Sequence, residues 1–270
     1  MRLSALAIFF LLITVLSAAT VETAAQSTLT VLTYNINHGK TTKGYSNLLR
    51  VSQLIRQYKP DLVALQEVDS VTKKSFQRDQ LDQLAKLTGM QPLYGKASRR
   101  DRGSVGVAIL SRYPFIAYDN LMLPNPDSTE QRTLLCGYVE RTDGQTFRFC
   151  TTHLDGGSVV NRGFQLAMCN LTMQKSIQPV IWTGVLNTDP EDLMIQKLND
   201  TWTDAGRDSQ TPTLVGSGAR VDYVLTQRES NLELVRYRVL NEPATSTHRP
   251  LLVTYRLKNA APEKSATANK

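Results

Sequence analysis

Residues 180–190 read Val180-Ile181-Trp182-Thr183-Gly184-Val185-Leu186-Asn187-Thr188-Asp189-Pro190. Apolar and β-branched residues open the run, a glycine breaks it, and a polar loop ending in proline closes it. That pattern reads as a buried strand that stops where a sheet meets solvent. Functional side chains collect at such strand ends, because a rigid scaffold holds the loop that carries them.

Outward from this run, further strand-like segments lie at 29–36, 61–68, 105–111, 132–140, 146–154, 221–227, 234–240 and 250–257. Between some of them the apolar spacing is helical. Leu48, Val51, Ile55 and Tyr58 share one face, and Leu166, Cys169, Met173 and Ile177 share another. A helix is expected over 77–88, stopped by Gly89, and a fourth starts near Pro190. Nine strands with four helices are too many for a simple doubly wound sheet, and 132–140 and 146–154 are separated by a hairpin-length turn. The fold expected is α/β, with two mainly antiparallel sheets packed face to face and helices on their outer faces.

Residues 1–25 differ from the rest. Arg2 supplies a positive start, Leu6 through Leu16 form an apolar run broken only by Thr14, and Ala19 or Ala25 could precede a cleavage point. This is the pattern of a secretory signal peptide, too short for a membrane span. A single domain is expected over 26–258, followed by an Ala- and Lys-rich disordered tail over 259–270. The expected product is a monomer without a transmembrane span, secreted or periplasmic. Removing the leader deletes one Arg and one Glu, so the net charge stays at +7. A basic surface attracts phosphate-bearing partners, although solubility alone explains many basic proteins.

Cys136, Cys150 and Cys169 form neither a disulfide framework nor a zinc pattern. A two-residue Asp143-Gly144 turn would pair Cys150 with Gly137 and put the two sulfurs on opposite sheet faces, leaving buried free thiols. A different loop length would bring Cys136 and Cys150 together as one disulfide.

Polar residues recur where the strands end: Asn35-Ile36-Asn37-His38, Gln66-Glu67-Val68-Asp69, Thr152-His153-Leu154-Asp155, Asn187, Arg220-Val221-Asp222-Tyr223 and Ser246-Thr247-His248-Arg249. One glutamate, one aspartate, two histidines and two asparagines could meet in one pocket. A hard divalent cation needs oxygen ligands, which Glu67 can supply. Imidazoles donate hydrogen bonds or exchange protons near neutral pH, and amides orient water and phosphate without adding charge. Together these groups suit the cleavage of a phosphate ester.

In order and spacing the set resembles the endonuclease/exonuclease/phosphatase superfamily, from Leu29 to about Leu257. The resemblance implies a four-layer sandwich and an Mg2+ (or Mn2+) cofactor. Its substrate would be a phosphate ester: a nucleic acid, a phospholipid head group or a small phosphodiester. It implies Glu67 as the main metal ligand and Asn35 as a metal or phosphate contact. His153 and Asn187 would contact the phosphate and take part in catalysis, with Asp222 orienting a catalytic His248. Val185 and Thr247 stand where the superfamily has aspartates. A valine can neither accept a proton nor bind water, and Thr247 keeps a hydroxyl without the charge. The expectation is therefore an exported phosphoesterase of weak or lost activity, the alternative being an inactive protein that still binds phosphate ligands. Asp189, four residues beyond Val185, is a candidate substitute acid. The basic run Arg99-Arg100-Asp101-Arg102-Gly103 reads as a solvated loop, with phosphate contact as the alternative, and Arg132 and Arg162 are candidate braces for the pocket.

Overall fold

The computed structural model describes residues 28–258. The expected leader and tail lie outside them. Among the described residues no helix is long and apolar enough to cross a membrane.

Six strands form the first sheet: β1 (Thr28–Asn35), β2 (Leu62–Ser70), β3 (Gln91–Arg100), β4 (Gly103–Ser111), β11 (Leu232–Val239) and β12 (Leu251–Leu257), in the order β11-β12-β1-β2-β4-β3. The second sheet is built from β5 (Phe115–Met122), β6 (Thr133–Glu140), β7 (Thr146–His153), β8 (Val180–Val185), β9 (Trp202–Asp204) and β10 (Asp222–Gln227), ordered β5-β6-β7-β8-β10-β9. All pairings are antiparallel except β1 with β2 and β7 with β8. Helices α1 (Leu48–Tyr58) and α2 (Gln80–Thr88) accompany the first sheet, and α3 (Val159–Gln174) and α4 (Leu193–Leu198) the second.

Three apolar layers match this arrangement. Alternate residues such as Val31, Ala64, Phe149, Ile181 and Val253 fill the space between the sheets. Leu32, Leu65, Val51 and Leu84 bind α1 and α2 to the first sheet, and Trp182, Trp202, Leu166 and Cys169 do the same for the second sheet and α3. The single-period alternation along each strand is what lets one sheet contribute to two layers.

Strands β3, β5 and β9 were not expected from the sequence, and each is a sheet edge. An edge strand needs no continuous apolar run: β3 carries Pro92, Gly95, Lys96, Arg99 and Arg100, and β5 is largely exposed. The basic run is therefore not a free loop. Arg100 pairs with Gly103 across a two-residue hairpin turn at Asp101 and Arg102, with Asp101 in a left-handed conformation. Helix α3 ends at Gln174, so Ile177 lies beyond it and is 96% exposed instead of sharing the buried face. The fourth helix starts just past Pro190, at Leu193, and Asp192 caps it by accepting from the Met194 N–H.

The cysteine expectation is also corrected. Arg141 and Gln145 close the β6–β7 hairpin, leaving the three-residue loop Thr142-Asp143-Gly144 with Gly144 at φ 78°. That one-residue difference in loop length pairs Cys136 with Cys150 on the same face, and they form a disulfide in the layer beneath α3. Cys169 is a buried free thiol.

Candidate active site

Both parallel pairs deliver their C-terminal ends to one end of the sandwich, and β4, β10 and β12 begin there. Just inside that end a polar layer closes the apolar core: Gln66 Nε2 donates to Thr33 Oγ1 at 3.0 Å and to Thr151 Oγ1 at 2.9 Å, tying the two sheets together. The next residue outward on β2 is Glu67. A register shift between Gln66 and Val68 marks a bulge, with Glu67 at φ 54°. Bulges re-aim side chains beside functional sites, and this one turns the Glu67 carboxylate into the cleft.

Glu67 is the hub. Asn35 Nδ2 donates to its Oε1 at 3.0 Å, His153 Nδ1 stands 3.8 Å from the same oxygen, and His38 Nε2 lies 3.5 Å from Oε2. Burial alone would raise this carboxyl, but the His153 and His38 rings, the Asn35 hydrogen bond and His248 outweigh it and hold it below the usual glutamate range. Asn35 is fixed in turn, its Oδ1 accepting the Asn37 N–H and its carbonyl accepting from Ser246 Oγ.

His248 precedes β12 and is buried, with Nδ1 at 2.9 and 3.1 Å from the two oxygens of Asp222. Burial lowers its basicity, but the Asp222 carboxylate outweighs that and raises it above an ordinary histidine. Asp222 therefore serves His248 and not an arginine; Arg220 pairs with Asp204 at 2.7 Å. His153 is different. Burial, followed by the neighbouring charge of Arg132, pushes it down to about 3. Arg132 Nη1 lies 3.4 Å from His153 Nδ1, and because arginine only donates, that nitrogen accepts and Nε2 carries the hydrogen.

Val185 is wholly buried and stands opposite His153 on one side and Asp222 on the other. Residues in register share a face, so the valine lies between the two polar groups, across a backbone span of about 10 Å. Thr247 is exposed, and its carbonyl accepts from the Val215 N–H. Asp189 does not stand in for the missing acid: it is exposed and accepts from the Arg220 N–H at 3.3 Å. Asn187 adopts φ 52° and donates through Nδ2 to the Leu154 carbonyl at 2.7 Å, joining the exits of β7 and β8 at the rim. Arg162 braces the same exit through the Asp155 carbonyl at 2.9 Å.

The sequence reading missed His38 as a site residue. It sits in a left-handed conformation on a short 3-10 turn, with Nδ1 3.1 Å from Asp69 Oδ1 and its carbonyl accepting from Gln80 Nε2 at 2.7 Å. Thr72 Oγ1 holds the other Asp69 oxygen at 2.9 Å. The available signal was the histidine count: the chain has three, and all three surround Glu67.

The sequence matches the profile of the Endonuclease/Exonuclease/phosphatase family over residues 32–248. The chain belongs to this family. Solved structures share the fold. An endonuclease/exonuclease/phosphatase from Beutenbergia cavernae is 23% identical with TM-score 0.73, covering 85% of this chain and 72% of its own. The mannosyl-6-phosphatase of Bacteroides thetaiotaomicron is 18% identical with TM-score 0.71, covering 83% and 98%. The human Nocturnin catalytic domain, solved with a bound sulfate anion, is 18% identical with TM-score 0.69, covering 85% and 94%. No curated protein matches the sequence significantly. Of the acids around the three histidines, Asp69 is engaged by His38 and Asp222 by His248, whereas Glu67 faces all three rings.

Proposed function

We propose that this protein is an exported, monomeric phosphoesterase of low turnover that takes its phosphate ester together with a divalent cation, Mg2+ or Mn2+, at Glu67. The carrying observation is the convergence of all three histidines of the chain on that carboxylate. The donor set fits a cation held from one side. Glu67 offers a carboxylate with Asn35 beside it, and among the described residues no group of three or more His, Cys, Asp or Glu forms a cage. Magnesium accepts this, since it keeps several waters and often binds through one or two carboxylates plus the substrate phosphate. When bound, the cation neutralises phosphate charge and stabilises the leaving oxygen.

The chain's own groups do the rest. Asn35 fixes the carboxylate rotamer. His153, held below the usual histidine range by burial and Arg132, presents Nε2–H as a hydrogen-bond donor for a phosphate oxygen. His248, its Nδ1 bound by Asp222, keeps Nε2 for proton exchange with the substrate or leaving group. Asn187 lines the rim. No group at position 185 can accept a proton from attacking water, and general-base help of that kind is worth roughly 10²–10⁴ in rate.

Export is supported by the N-terminal pattern and by the Cys136–Cys150 disulfide, which belongs to an oxidising compartment. Hydrolysis of an aryl phosphate ester with added magnesium, lost in Glu67→Ala, is the expected result; hydrolysis indifferent to both overturns the proposal. Val185 specifically favours a second reading, a phosphate-ligand-binding protein without turnover. It is recognised by saturable, Glu67-dependent binding of the same ester with no product.

A further inference from the structure

Beside the reaction centre, Glu130 binds two arginines at once. Arg100, at the end of β3, donates to Glu130 Oε1, and Arg132 Nη2 lies 3.5 Å from Glu130 Oε2. Both guanidiniums also face the centre. Arg100 Nη1 is 3.4 Å from His38 Nε2, and Arg132 Nη1 is 3.4 Å from His153 Nδ1. Glu130 and Arg132 line the same cleft as His38, Glu67, His153 and Val105.

The arginine pair has more donors than Glu130 uses, and Arg132 Nε is buried without a partner. A carboxylate held between two arginines occupies the place that a planar or tetrahedral oxyanion fills in phosphate recognition. The pairs are partly exposed, with side-chain exposures of 28% for Arg100 and 34% for Glu130. Ion pairs at such exposure contribute little, so a doubly charged phosphate can displace Glu130.

Resting on the phosphoester reading of the Glu67 centre, we infer that Arg100 and Arg132 form a second anion subsite, occupied by Glu130 until a substrate's second phosphate displaces it. The preferred substrate is then a phosphate ester carrying another phosphate a few bonds from the scissile one. The same chemistry is offered by a small bisphosphate and by the neighbouring phosphate of a nucleic-acid strand. The fold explains why Arg100 alone of the basic hairpin serves: Arg99 and Arg102 are exposed, whereas Arg100 is half-buried against His38 and Glu130.

The test compares butyl phosphate with butanediol bisphosphate by calorimetric titration of the mature protein in magnesium buffer. The bisphosphate binds about tenfold more tightly in the wild type, as expected for charge-assisted bonds. Arg100→Gln brings the ratio of the two affinities close to one, and Glu130→Gln, which frees both guanidiniums, raises it. A thymidine trinucleotide in the same titration separates the sources. Binding weakened by Arg100→Gln assigns a strand backbone, absence of binding assigns a small bisphosphate, and both accord with the subsite. A wild-type ratio near one with butyl phosphate still bound overturns the subsite alone, as does a ratio that survives Arg100→Gln. Failure of both ligands to bind overturns the subsite and the phosphoester reading together.

Discussion

Replacing Val185 by aspartate puts a carboxylate in register between His153 and Asp222, where the chain now carries an apolar side chain. The gain in turnover comes from general-base assistance, roughly 10²–10⁴. The cost falls on stability. Val185 is wholly buried, and a new charge about 5 Å from Asp222 at an effective dielectric near 20 meets a repulsion of about 3 kcal/mol, part of which His248 offsets. A net loss of roughly 2 kcal/mol lowers the melting temperature by about 4–8 °C for a domain of this size. Val185→Asn is the control, because it brings a similar polar burden without a basic oxygen. Hydrolysis of a chromogenic aryl phosphate ester with magnesium, followed well below the melting temperature, should rise at least about 10²-fold in Val185→Asp and stay at the wild-type level in Val185→Asn. Equal rates in the wild type and Val185→Asp, both well folded, would refute the claim that the missing carboxylate limits turnover. Thr247→Asp alone should change little, since Thr247 is exposed.

Other outcomes can be measured on stability alone. Gly184 has φ +127°, and an added Cβ would lie 2.0 Å from the Thr152 carbonyl oxygen, so Gly184→Ala should cost more than about 3 kcal/mol in urea unfolding. The Cys136–Cys150 bridge spans 14 residues, and its removal in a double alanine variant should cost about 3 kcal/mol on the chain-entropy scale. Burial would raise Asp155, but hydrogen bonds from Thr129, Asn161 and the backbone N–H groups of Ser158 and Gly157 outweigh it and lower it from 3.8 to about 2. A depressed carboxyl stabilises the fold above its unfolded pKa and loses that contribution as the pH falls towards its folded value. Unfolding free energies compared at pH 5 and at pH 2 should therefore drop by about 2 kcal/mol more in the wild type than in Asp155→Asn, and equal drops would contradict the assignment.

How far the sequence could be read depends on where each signal is stored. The inner strands, such as β1, β2 and β8, announce themselves because both faces are buried, and their apolar runs show it. The edges β3, β5 and β9 carry no such run and were invisible. Asn35, Glu67, His153, Asp222 and His248 were legible as strand-end residues, and the structure places them at one end of the sandwich. The bulge that turns Glu67 into the cleft leaves no mark in the sequence, because any residue can be forced to positive φ by its partners across a ladder. His38 was hidden for a similar reason: its approach to Glu67 depends on Asp69 and Gln80, which are distant along the chain. The disulfide turned on one residue of hairpin length. Val185 was readable as a departure, but only the register between β7, β8 and β10 shows that it separates His153 from Asp222.

The central claim is that Glu67, ringed by His38, His153 and His248, anchors a phosphate ester through a divalent cation. Titration of phenyl phosphate into the protein, with and without magnesium, tests it directly in the wild type and in Glu67→Ala. Saturable binding that requires magnesium and disappears in Glu67→Ala is the predicted result. Binding that is unchanged in Glu67→Ala, or indifferent to magnesium, contradicts it.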